Sequence, residues 1–314
     1  MRTHMHTMLA RFAPVLLSAL LLTGGCSREP GSTTLTKGSL IVDCDEALFP
    51  VINALAAEFK IQYPDAQVSV RSVEAREATA NFVNDSVRVI VCGRPLNTEE
   101  RNALTAAKTW FEEYHVAQSA VAVIAHKENP VKELRVGQAE SLFTAQATSW
   151  PGWRAGGTVD LVVGGINSST NEVFKRMILK GESFAMSATP TPSSSDLIEH
   201  VRTTRNALGI VGIGWLKGIG QDVSVLGLSR PGVAADSTQS VGRAYTPAQG
   251  YVYKGYYPVS SPVYMYTREI DRNISLGFIS FATSVQGQKV FLDNGLVPVT
   301  MPVRLIQLTS EQVN

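Results

Sequence analysis

The chain has 314 residues, 44% of them hydrophobic and 18% charged, with a formal net charge of +1. Apolar content near the globular average with little net charge excludes a disordered chain, and the balance of basic and acidic residues excludes the footprint of a nucleic-acid binder. A length beyond roughly 250 residues points to two medium lobes rather than one enlarged core, and three cysteines are too few for a disulfide-built mini-fold.

Arg2 and Arg11 precede an apolar run from Phe12 to Leu22, followed by Thr23, Gly24, Gly25 and Cys26. A basic start, an apolar stretch of about 7–15 residues and small residues before a cut site describe an export signal better than a membrane span. Cys26 after two glycines resembles a bacterial lipobox, whose cysteine is lipidated and becomes the new N-terminus. Thr23 stands where such boxes carry leucine, and the other reading is an ordinary signal with an incidental cysteine. Residues 27–37 are rich in Ser, Thr, Gly and Pro and read as a tether. Residues 1–26 are therefore expected to be a signal ending at a lipidated Cys26, with the protein exported and lipid-anchored to a bacterial membrane.

Leu40 to Val42 reads as a strand, and the apolar spacing of Val51, Ile52, Leu55, Ala56 and Phe59 predicts a helix over Pro50–Phe59 that Tyr63-Pro64 stops. Val68–Val70 is a strand, Ala75–Val83 a helix and Val87–Cys92 a continuous apolar strand. Thr98, followed by Glu99 and Glu100, is expected to cap the next helix with its hydroxyl. Ser119–His126 is a buried strand. A second series follows, with helices at Val136–Phe143, Glu172–Lys180 and Asp196–Ala207 and strands at Val159–Val163, Ile210–Ile213 and Val223–Leu226. A tyrosine-rich stretch at Gly250–Pro258 reads as packing of the second lobe near a hinge. A strand at Val263–Thr267, helices at Ile274–Ala282 and Val285–Leu292, and a strand at Val303–Leu308 complete the chain. Strands alternating with helices predict an α/β fold with parallel sheets, and the return of the last helices to the first lobe predicts two lobes joined by two crossing strands. A cleft between such lobes is the usual place for a small ligand.

Signatures of catalysis such as G-x-S-x-G, a Gly-Lys-Ser/Thr phosphate loop, H-E-x-x-H and C-x-x-C are missing, and His115, His126 and His200 are scattered without ligand spacing. No catalytic residue, metal ligand or cofactor is therefore expected. The strongest local feature is Gly164-Gly165-Ile166-Asn167-Ser168-Ser169-Thr170-Asn171, after a strand and opening a helix. Free N–H groups and hydroxyls at such a turn can hold an oxyanion without a cation, and an ordinary capped turn is the alternative. Two further strand ends should face the same cleft: Asp43-Cys44-Asp45-Glu46 and Gly93-Arg94-Pro95-Leu96. Arg94 can grip an oxyanion with its fork, and a carboxylate can accept the proton of a protonated anion. An ion pair of Arg94 with Glu99 or Glu100 is the other reading. Cys44 and Cys92 read either as buried thiols or as a disulfide pair formed after export.

Several stretches together resemble a known family. They are Val121-Ala122-Val123-Ile124-Ala125-His126-Lys127-Glu128-Asn129-Pro130, Asn167-Ser168-Ser169-Thr170-Asn171-Glu172-Val173-Phe174 and Gly209-Ile210-Val211-Gly212, with Tyr257-Pro258, Ser284-Val285-Gln286-Gly287-Gln288 and Gly295-Leu296-Val297-Pro298. In this order they are similar to the substrate-binding lipoproteins of bacterial phosphate ABC importers, within the type II periplasmic binding protein fold. The resemblance implies a two-lobed α/β clamp with two hinge-crossing strands that closes on inorganic phosphate, or a similar small oxyanion, and delivers it to an ABC transporter permease. It implies a monomer that meets the membrane only through its lipid. The lobes are expected at residues 38–127 with 259–314, and at 128–258.

The chain departs from the family pattern at the ligand. Ser168-Ser169-Thr170 stands for Ser-Gly-Thr, Gly164 for an arginine four residues before the serine, Gly93 for an aspartate, and Asp45-Glu46-Ala47 for a small hydroxylic turn. The expectation is that cation and proton acceptor have exchanged lobes, with Arg94 replacing the arginine and Asp45 or Glu46 the aspartate. The expected ligand residues are then Asp45, Glu46, Ala47, Arg94, Asn167, Ser168, Ser169 and Thr170. Two other functions fit the same fold: a sensor or adhesion lipoprotein with a degenerate cleft, and a hydrolase working through its carboxylates.

Overall fold

The computed structural model describes residues 33–153, 157–230, 242–301 and 303. The segment expected to be an export signal, with Cys26, and the strand expected at Val303–Leu308 beyond its first residue, lie outside the described residues. The first lobe begins with β1 (Gly38–Asp45), which passes through one helical turn at 46–48 into α1 (Phe49–Gln62). Pro50 is tolerated in the first turn, where backbone N–H groups have no intrahelical acceptor, and Tyr63 ends the helix. Val51, Ile52, Leu55, Ala56 and Phe59 share the buried face, and the larger of them contribute about 1.5–3 kcal/mol each on burial. There follow β2 (Ala66–Val73), α2 (Ala75–Val83), β3 (Val89–Cys92) and α3 (Thr98–Ala106). Asn97, rather than the expected Thr98, caps α3. Its side chain accepts from the Glu100 N–H at 2.9 Å while Glu100 accepts from the Asn97 N–H at 2.8 Å, because the capping residue must stand just outside the helix to reach its third N–H.

The chain continues through β4 (Glu112–His126), β5 (Glu133–Arg135), α4 (Val136–Phe143), β6 (Asp160–Val163), α5 (Ser169–Met177), β7 (Thr189–Pro190), α6 (Ser194–Thr203), β8 (Ala207–Gly212) and β9 (Val223–Ser229). It returns through α7 (Gln249–Tyr253), β10 (Ser260–Thr267), α8 (Ile274–Thr283), α9 (Val285–Asp293) and β11 (Val297–Pro298). Strands run in the order β2-β1-β3-β10-β4 and continue β4-β8-β6-β7. The expectation of purely parallel sheets is corrected: β1, β2 and β3 are parallel, as are β6, β7 and β8, but β10 is antiparallel to β3 and β4, and β4 is antiparallel to β8 and β9. The reason is topological, since a chain that leaves a lobe on one strand and comes back on a neighbouring one must reverse direction between them.

β4 joins the two lobes. Its 15 residues span about 50 Å at the rise of a strand. The part up to Ala120 pairs with β10, and the part from Val121 onward pairs with β8 and β9. The returning chain bonds it at the changeover, where the Val121 N–H donates to the Val259 carbonyl at 2.9 Å. The buried Tyr257 hydroxyl donates to the Val121 carbonyl at 2.7 Å, and the rings of Tyr245, Tyr251 and Tyr256 pack edge-on or tilted with centroids 4.9 to 6.5 Å apart. The tyrosine-rich stretch thus packs against the crossing, as its position suggests.

Cys44 lies opposite Val91 in the parallel pairing of β1 with β3, so Cys92, one residue on, points to the other face of the sheet. The two belong to separate apolar clusters, and both are free thiols. Mass spectrometry of the unfolded chain alkylated without reductant is expected to show both residues labelled. Recovery of a peptide linking Cys44 to Cys92 would contradict the facing.

Candidate functional site

The carboxyl end of β1 delivers Asp45 into the interior, where it is fully buried. Its Oδ1 accepts from the Ala47 N–H at 3.3 Å and its Oδ2 from the Gly93 N–H at 3.0 Å, and the Ser169 hydroxyl also bonds it. Burial pushes the Asp45 carboxyl above its ordinary value, and these three donors pull in the opposite direction. A Cβ on Gly93 would stand 2.9 Å from Asp45 Oδ2 and 2.8 Å from Ser169 Oγ. The Asp45 carboxylate therefore fills the space that a side chain at position 93 would need, and only glycine allows the approach.

Ser169 and Thr170 come from the opposite lobe, at the start of α5, where Ser168 caps the helix by accepting from the Asn171 N–H at 3.2 Å. The expected start at Glu172 is three residues late, because these polar residues are buried and carry no apolar periodicity. Asn171 fixes the preceding loop by donating to the Gly164 and Gly165 carbonyls, each at 2.9 Å. Ala47, Leu48 and Gly93 from one lobe and Ser169, Thr170, Val173 and Gly212 from the other enclose a cavity of about 10 Å³, with Ser119, Ala120, Val121 and Ser261 completing the wall. That is room for roughly one water-sized body, far below the ~300–1,000 Å³ of organic-ligand pockets. A second hollow of about 20 Å³ adjoins it, lined by Glu46, Glu74, Ser168, Thr170 and Ser194 among others.

Glu46 spans this second hollow. Its carboxylate accepts from the Ser194 N–H at 2.9 Å and the Ser194 hydroxyl at 2.7 Å, binding one lobe to the start of α6 in the other. Burial raises its carboxyl as well, against the pull of Ser194. Asn167 lines neither hollow, and its carbonyl accepts from the Arg76 N–H at 3.4 Å.

Arg94 also lines neither hollow. Its guanidinium is nearly inaccessible, with only 2% of the side chain exposed, and it forms a fork on Glu100, with Nη1 and Nη2 donating at 2.8 and 2.7 Å. Its Nε faces Glu172 of α5 in an ion pair that lacks hydrogen-bond alignment, and Arg76 donates to the other Glu172 oxygen at 2.7 Å. Burial alone would raise the Glu100 carboxyl, but the Arg94 fork and the Asn97 N–H outweigh it and hold it below its ordinary value. The expected cation is thus engaged by two acids one layer behind the cavity. Among the described residues, the cavity wall carries hydroxyls, backbone and apolar groups without a charged side chain. Ser119 and Ser261 were not anticipated as site residues. A larger hollow of about 490 Å³, lined by Arg135, Leu142, Ser149 and Arg230 among others, belongs to the second lobe alone, so filling it does not favour closure.

A family profile described as a PBP superfamily domain matches residues 30–286. The chain belongs to the PBP superfamily. This PBP chain is 24% identical over 289 residues to the phosphate-binding protein PstS of Staphylococcus saprophyticus, covering 88% of this chain and 85% of that one. It is 22% identical over 291 residues to the phosphate-binding protein PstS of Pseudomonas aeruginosa, covering 85% and 84%. A crystal structure from Clostridium perfringens, described as a candidate phosphate ABC transporter substrate-binding protein with bound phosphate, matches with a TM-score of 0.70 at 22% identity, over 84% of this chain and 100% of that one. That likeness establishes the shared two-lobed fold.

Two outcomes follow for this PBP domain. A carboxyl raised by folding stabilises the native state fully below its unfolded value of about 4, and that contribution is lost as pH rises through the folded value. The melting temperature of Asp45→Asn relative to the parent should therefore increase between about pH 4 and pH 7; a difference independent of pH would show that Asp45 titrates like an exposed acid. Arg94→Ala leaves Glu100 and Glu172 without their shared counter-charge. In urea unfolding it should cost about 2–4 kcal/mol, toward the low side of the usual range for broken buried pairs because both acids keep some solvent and Glu172 keeps Arg76. A loss under about 0.5 kcal/mol would mean that the network is not structural.

Proposed function

We propose that this chain is an extracytoplasmic solute-binding protein that captures inorganic phosphate, or a similar small oxyanion, between its lobes and hands it to the permease of an ABC importer. It acts as a monomer, performs no chemistry on the ligand, and is held at a bacterial membrane by lipid on Cys26. The lobes are taken as residues 38–127 with 259–314 and 128–258, meeting on β4, whose residues from Val121 onward already pair with strands of the second. The observation that carries this reading is the small neutral cavity walled by both lobes, with the first turn of α5 on one side and Ala47 and Gly93 on the other; it has the volume of about one water, so the lobes must part slightly to admit a five-atom anion. A ligand favours a closed state only through contacts that the open state lacks, and one touching both lobes has them. The phosphate-binding names of the relatives, over most of their length, point the same way.

The chemistry of the wall selects the anion. The Thr170 hydroxyl and the N–H groups at the start of α5 supply donors and the positive end of the helix dipole without a free cation, the Ser169 hydroxyl proton being held by Asp45. Asp45 stands directly behind Ser169 and Gly93. An unprotonated dianion such as sulfate would meet that carboxylate as a like charge in a site with little solvent to screen it. Asp45 lines neither hollow and acts across Ser169 and Gly93, so an oxyanion whose charge is lowered by protonation meets less repulsion there. Asp45 thus takes the part of the family's missing aspartate, with its carboxylate placed in the space that Gly93 leaves open. Arg94 contributes from behind as the positive charge that offsets Glu100 and Glu172.

Titration calorimetry at neutral pH is expected to show phosphate binding, with sulfate weaker by about 100-fold or more, and Thr170→Ala weakening phosphate by roughly 10-fold or more. Asp45→Asn should bring sulfate and phosphate to within about 10-fold of each other. Sulfate binding as tight as phosphate in the parent would overturn the role of Asp45, and no binding or thermal shift with any small oxyanion would overturn the transport reading in favour of a sensor with a degenerate cleft.

A further inference from the structure

Ser119 on β4 and Ser261 on β10 face each other directly across the two strands, so their side chains project to the same face within about 5 Å at Cβ. These are the strands on which the chain leaves and re-enters the first lobe. Both residues are buried, and both line the small cavity beside Ser169 and Thr170. Their neighbours point the other way, and there the Ser260 hydroxyl accepts from the Gln118 amide at 3.2 Å. Ser261 differs from Ser260 in one respect. Its Oγ is fully enclosed and has no hydrogen-bond partner among the described residues. A buried hydroxyl left unpaired is costly, and one that persists on a cavity wall calls for a partner inside the cavity.

We infer that Ser261, seated opposite Ser119, donates a hydrogen bond from its hydroxyl to the oxyanion, making the crossing strands a third binding surface beside the two lobes. The inference rests on the oxyanion reading above and adds a ligand residue to it. A hydroxyl suits this place because it satisfies a ligand oxygen without adding charge near Asp45. Its position at the changeover from one sheet to the other means that the ligand touches the part of the backbone about which the lobes move.

The test uses the mature chain with inorganic phosphate as the probe and sulfate, arsenate and molybdate beside it, comparing the parent with Ser261→Ala and Ser260→Ala by calorimetry and by melting without ligand. Ser261→Ala is expected to bind the preferred anion roughly 10- to 100-fold more weakly, as for a hydrogen bond to a charged group. Its ligand-free melting temperature should be unchanged or higher, because the hydroxyl it loses has no partner among the described residues. Ser260→Ala should bind within about 3-fold of the parent, since its hydroxyl lies on the opposite face. If the parent binds phosphate and Ser261→Ala binds it equally well, a water serves the hydroxyl and this inference fails while the oxyanion reading stands. If the parent binds none of the four anions, both fail. A fall in ligand-free melting temperature of Ser261→Ala with unaltered affinity would mark a structural residue and also overturn the inference.

Discussion

β4 is a member of two sheets at once, and most of what the molecule can do follows from that sharing. Its hydrogen bonds to β10 hold it in one lobe and its bonds to β8 and β9 hold it in the other. Neither lobe can leave without breaking a ladder, so relative motion is confined to bending and twisting near Ala120 and Val121. The buried Tyr257 hydroxyl and the Val259 carbonyl tie the returning chain to the same place. Ser119, Ala120 and Val121 also line the cavity. One short length of backbone therefore sets both the axis of motion and the wall of the site.

Charge is arranged around this axis in layers. The innermost layer consists of neutral donors, and the next holds Asp45, raised by burial, with Arg94 shared by Glu100 and Glu172. A guanidinium with so little exposure is held in place by the carboxylates around it, because an unpaired buried charge is far more costly than a paired one. Since Glu172 belongs to α5 and Arg94 follows β3, the same pairing also crosses between lobes, as does Glu46 with Ser194. These bonds link the lobes through residues outside the cavity wall, apart from anything the wall itself contacts.

Much of the architecture was legible because it rests on apolar periodicity and local stop signals. α2 and α4 begin and end where their spacing predicts, and α1 follows from five apolar residues and a Tyr-Pro stop. The length of β4 was not, because its first half carries Glu112, Glu113 and His115 on an exposed stretch where alternation is weak. The start of α5 was missed because Ser169, Thr170 and Asn171 are buried for their hydrogen bonding and carry no hydrophobic pattern. In the site, Ala47, Ser169 and Thr170 were readable from strand-end and helix-start logic. Ser119 and Ser261 were not, since neither belongs to a recognisable motif and their meeting depends on a pairing over more than a hundred residues of chain. Arg94 was correctly placed at the end of β3, but an ion pair and an anion grip look the same in sequence, and only the position of Glu172 separates them.

The close approach of Asp45 to Gly93 carries an evolutionary implication. The two positions compete for one volume: a carboxylate reaches it from β1 when position 93 is glycine, and a side chain at 93 would occupy it from β3. A side chain gained at 93 therefore meets Asp45 in the same space, and a loss of Asp45 alone leaves that space without an acid. A lineage passing between the two arrangements must cross one of those states, so positions 45 and 93 are bound to vary as a pair, and the identity of one constrains the identity of the other.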